Sequence, residues 1–129
     1  MTTTSSNYLY DLHKIYQTWV SELALANDEI GSFKSNLEKV AIANNKMEVT
    51  SLVEQFQNKF TTHLNELQIL RHDVNAAEAK LRESINQNPV AVDHRKMEMD
   101  AALNDRMQTF TKLFTELKAE YNNFLAKTL

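Results

Sequence analysis

The sequence predicts an all-α protein, an antiparallel up-down-up bundle of three long helices over about 7–43, 46–86 and 89–127. Two observations lead there. The first is a shortage of turn formers: one Gly and one Pro in 129 residues. All-β folds need many turns, and this chain cannot supply them. The second is spacing. Val49, Val53, Phe56, Phe60, His63, Leu67, Leu70, Val74, Ala77, Leu81 and Ser84 follow one another in alternating steps of four and three. That is the pattern of a helix that buries one narrow seam.

The first helix carries a similar pattern. Leu9, Leu12, Tyr16, Trp19, Leu23, Ala26, Ile30, Phe33, Leu37, Val40 and Asn44 share its seam, and Ile15 and Val20 widen it. A wider stripe suits contact with two neighbours. Residues 1–6 are small and polar and are expected to form a disordered tail. Ser5, Ser6 or Asn7 would then cap the helix. Gly31 falls inside the helix but off the seam. It reads either as a tolerated surface glycine or as the mark of a kink or close helix approach.

Asn44 and Asn45 break the first helix from the second. Asn45 followed by Glu48 resembles a capping box. So short a connection makes the two helices antiparallel neighbours. The second break is the stretch before Pro89, which suits the first turn of a new helix. The third helix draws on Met99, Leu103, Met107, Phe110, Leu113, Phe114, Leu117, Tyr121, Phe124 and Leu125. Its first ten residues, 89–98, are the least apolar part of any helix. Residues 7–129 are thus expected to form one three-helix domain.

Charge is mixed along the chain, with a formal net of −3. Acids and bases number five and three over 7–44, six and five over 46–86, and six and six over 89–129. No stretch offers a basic face, so nucleic acid is not expected as a partner. No apolar run approaches the ~20 residues that span a bilayer, so neither is a membrane. The opening residues lack the basic-then-apolar order of a secretory signal. There is no cysteine, which removes disulfides and thiolate chemistry. The expected location is cytoplasmic.

Catalytic patterns are missing too. The sequence has no Glu-x-x-His or His-Glu-x-x-His for a metal, no glycine-rich phosphate loop and no Gly-x-Ser-x-Gly. No cofactor, metal or catalytic residue is expected. His63 is the candidate register-setting or pH-sensitive core residue, because it interrupts the seam between Phe60 and Leu67. Burial there would lower its pKa. His13, His72 and His94 fall off the seams and toward one end of the rod, with His13 near Ala77 and His72 near Leu103.

Some apolar residues also lie off the seams. Leu25, Ile69 and Met97 are the candidate interaction surface. Leu25 and Ile69 are placed so that both could border one patch covered by a second copy. The methionines near the start of helix three suggest an adaptable apolar surface.

The architecture is similar to spectrin-type three-helix bundles, including a Trp on the first helix, here Trp19. That likeness implies a fold and carries no function. The functional expectation is a non-catalytic interaction or scaffold module. It self-associates, most simply as a dimer, or docks another helical protein. The alternatives are a bundle that binds or senses a small apolar ligand, and an enzyme whose site forms only in three dimensions.

Overall fold

The structure is a computed structural model and describes residues 2–87 and 101–128. Three helices account for nearly all of them: α1 (Thr2–Ala43), α2 (Met47–Gln87) and α3 (Ala101–Thr128). No strand occurs among the described residues. The expected boundary at Pro89 and the weakly apolar start of helix three lie outside the described residues, as do His94 and Met97.

Cross-helix contacts fix the directions. His13 meets Glu78, Asn27 meets Gln68, and Lys34 meets Gln57 and Thr61. One number rises as the other falls, so α1 and α2 run antiparallel. Asp73 meets Arg106, His63 meets Phe110, and Phe56 meets Phe124. Helices α2 and α3 are therefore antiparallel too. Glu29 meets Lys118 and Phe33 meets Tyr121, which sets α1 and α3 parallel. The bundle is up-down-up.

The seams form the core. On α1 it takes Leu12, Tyr16, Leu23, Ala26, Ile30, Leu37 and Val40. On α2 it takes Val53, Phe56, Phe60, Leu67, Leu70, Val74 and Leu81. Phe60, Leu67, Leu70 and Val74 are fully sealed, and each such side chain contributes about 1.5–3 kcal/mol on leaving water. Phe33, Phe56, Phe60, Tyr121 and Phe124 pack with ring centroids 4.9–6.3 Å apart. Tyr121 donates its hydroxyl to the Phe33 carbonyl at 3.5 Å. Burial pushes the Tyr121 pKa up, and a hydrogen bond with Asn36 partly opposes it.

Helical backbone begins at Thr2, five residues ahead of the expected start at 7. Residues 2–6 hold no glycine or proline to stop it. The link between α1 and α2 is residues 44–46. Here the capping differs from expectation. Thr50 N–H donates to the Lys46 carbonyl at 3.0 Å, which makes Lys46, not Asn45, the N-cap of α2. Asn44 closes α1 instead: its backbone N–H and its side-chain amide both donate to the Val40 carbonyl, at 3.0 and 3.2 Å. Gly31 is not the site of a close helix approach. A methyl group placed there would meet nothing within 4 Å, so Gly31 is a surface residue.

Candidate groove between helices two and three

The three edges of the bundle are closed to different degrees. Along the α1–α2 edge, polar side chains reach across. Lys34 donates to Thr61 Oγ1 at 2.8 Å, Gln57 to the Lys34 carbonyl at 3.2 Å, and Gln68 to Asn27 at 3.2 Å. On the α1–α3 edge Lys118 spans to Glu29 at 3.5 Å and lies over the Phe114 ring. The α2–α3 edge is different. It holds a groove of about 390 Å³ whose floor is His63, Phe110 and Leu113. Thr62, Glu66, Asp105, Arg106 and Thr109 form its rims.

The groove arises from neighbours in sequence competing for one seam. Leu113 and Phe114 are adjacent, hence about 100° apart around the helix. Phe114 takes the core position, and Leu113 is left 46% exposed beside it. Opposite, α2 offers an imidazole where the seam positions on either side carry Phe60 and Leu67. His63 is half-buried, not sealed in the core. Its ring packs on Phe110 and Phe114, with centroids 5.9 and 6.2 Å away. Its Nδ1 lies 3.0 Å from the Lys59 carbonyl. A carbonyl oxygen only accepts, so Nδ1 carries the proton. Nε2 is then the ring nitrogen left for water or a ligand.

The upper rim is an ion cluster. Arg106 meets Asp73 at 2.9 Å and Glu66 at 3.7 Å. The hydrogen bond that Arg106 donates to Asp73 raises the guanidinium pKa above its ordinary value, opposed in part by burial and helped by the charges of Asp73 and Glu66. Farther down, Lys59 pairs with Glu120 at 3.2 Å. These contacts pin α2 to α3 without covering the apolar floor between them.

The other expected surface residues fall elsewhere. Leu25 is 62% exposed and Ile69 is 52% exposed. They sit at one level of the rod, as the Asn27–Gln68 bond shows. Even so, they do not share a face. Leu25 is two residues from Asn27, about 200° around α1, so it leaves the α1–α2 edge altogether. Ile69, three residues after Glu66 and four before Asp73, stays on the outer surface of α2 on the side toward α3. Ile42 and Met47 are almost fully exposed on either side of the α1–α2 link.

One buried polar group escaped the seam pattern. Glu78 is only 6% exposed. His13 Nδ1 and an Arg82 nitrogen both lie 3.0 Å from its Oε1. The pairing of His13 with residue 77 or its neighbours was legible in the sequence, but the burial of Glu78 was not. His72 is exposed and sits beside Asp73, at the level of the Arg106 cluster.

Among the described residues no group of His, Asp or Glu could hold a metal ion, and no helix is long and apolar enough to cross a membrane. In comparisons with known proteins, no family model, no curated protein and no solved structure matches this chain.

Proposed function

We propose that the protein is a non-catalytic helical interaction module, in which the α2–α3 groove receives the apolar ridge of a further helix. The observation that carries this reading is the groove itself, an apolar floor left open between two helices whose rims are already pinned. A fourth helix laid along α2 and α3 would cover Leu113 and the edge of Phe110, as bundle helices cover one another's seams. Self-association belongs to the same reading, with Leu25, Ile69, Ile42 and Met47 supplying apolar surface outside the groove.

The test is docking of an amphipathic helix to the full chain, compared with a Leu113→Lys variant. Leu113 is half in water, so the variant keeps the core and places a charge on the groove floor. Loss of docking in the variant with unchanged helicity supports the proposal. Equal docking by both proteins contradicts it. Molar mass in solution addresses self-association separately: a strict monomer at high concentration removes that part.

The groove volume favours one second reading. About 390 Å³ lies within the range of small-molecule pockets, so an apolar ligand with one hydrogen-bonding group for His63 Nε2 would fit. Saturable binding of such a ligand, lost in Leu113→Lys, with no docking of any helix, would favour it over the first.

A further inference from the structure

We infer that the helix accepted by the α2–α3 groove carries basic residues beside its apolar stripe. This rests on the docking reading above and adds the chemistry of the partner. Charge complementarity selects such a partner. The face around the groove holds five carboxylates, Glu66, Asp73 and, along α3, Asp105, Glu116 and Glu120, against three cations, Lys59, Arg106 and Lys112.

How those charges are paired matters more than their number. Arg106 is shared between Asp73 and Glu66, so that cluster keeps one negative charge. Lys59 and Glu120 cancel. Asp105 and Glu116 have no ion pair among the described residues and both are exposed, and Lys112, exposed on the same side of α3, offsets one of the two. Asp105 is on the rim beside the floor residues. Glu116 lies seven residues beyond Thr109, two turns along the same side of α3. The surplus is therefore one negative charge at the Arg106 cluster and one on the α3 rim, both beside any helix in the groove.

A second copy using the same face would set these carboxylates against their own kind. Like charges across an interface are costly, whereas a lysine- or arginine-flanked helix gains steering and register. The apolar floor supplies adhesion to any oily ridge, and the α3 rim selects among ridges by the sign of their flanks.

The experiment uses the full chain and two synthetic amphipathic peptides. They share one leucine stripe and one length, and differ only in lysine or glutamate flanks. Binding is titrated at low and physiological salt, with wild type, with Leu113→Lys and with Asp105→Asn/Glu116→Gln. The inference expects the lysine-flanked peptide to bind at least tenfold more tightly to wild type. It expects that preference to shrink several-fold in the double variant and to weaken as salt rises. Two leucine-dependent isotherms of equal strength would overturn the charge inference and leave the docking reading standing. A peptide that competes with dimers of the chain, whatever its charge, would make a second copy the occupant and also overturn the inference. Failure of both peptides to bind would sink the docking reading itself.

Discussion

Gly31 tests how far backbone freedom limits α1. It is helical, exposed and faces open space, so Gly31→Ala fills no contact and costs no strain. The expected gain is about 0.5–1 kcal/mol, from a less flexible unfolded chain and better helix propensity. A urea midpoint that falls instead would show that Gly31 is needed for something the fold does not display. Tyr121 makes a pH prediction. Burial raises its folded pKa above the unfolded value near 10. Its stabilising share is therefore complete below pH 10 and is lost as pH climbs through the folded value. Stability measured upward from pH 9 should fall less steeply in Tyr121→Phe than in wild type. Identical slopes would contradict this. Glu78 is the third case. His13→Ala leaves a buried carboxylate with Arg82 alone and should cost about 1–2 kcal/mol. His13→Ala together with Glu78→Leu should cost less than the single change, because the charge left behind is gone. A double variant as unstable as the sum of the singles would mean the two groups are not coupled.

Helices were the most legible level of this chain. Steps of three and four identified the buried faces of α1 and α2, and Phe60, Leu67, Leu70 and Val74 are fully sealed. Periodicity reports which side of a helix is apolar, and for these positions nothing competes with it. It fails where two apolar residues are adjacent. Leu113 and Phe114 read alike in sequence, and only packing decides that Phe114 goes in. His63 was legible as a seam residue, but its half-burial depends on where Leu113 ends up. Capping shifted by one residue, with α2 starting from Lys46 while Asn44 bonds back to Val40 to close α1, and the three polar residues 44–46 read alike in sequence. The groove was therefore hidden for a physical reason: it is made of what the seam pattern leaves over. At this scale Phe60→Ala should cost about 3–5 kcal/mol, since the ring is sealed among Phe33, Phe56 and Tyr121. Leu113→Lys should cost under ~1 kcal/mol. Comparable losses by chemical denaturation would mean that Leu113 belongs to the core and that no open groove exists.

The whole molecule is a rod in which α2 is shared by both neighbours. At ~1.5 Å per residue, a helix of 41 residues is about 60 Å long, which gives a large surface for the enclosed core. The α1–α2 edge is bridged by side chains from His13–Glu78 to Lys34–Gln57, the α1–α3 edge is bridged at the level of Glu29–Lys118 and Phe33–Tyr121, and the α2–α3 edge is pinned at Arg106 and Lys59 with the apolar groove between them. The proposed function rests on that groove. The measurement that tests it most directly is chemical-shift mapping of the isotope-labelled full chain during titration with the lysine-flanked leucine-striped peptide. Shifts are expected to concentrate at Thr62, His63, Glu66, Asp105, Thr109 and Leu113, with Asn27, Lys34 and Gln57 on the α1–α2 edge unmoved. Shifts centred on the α1–α2 edge, or none at saturating peptide, would contradict it.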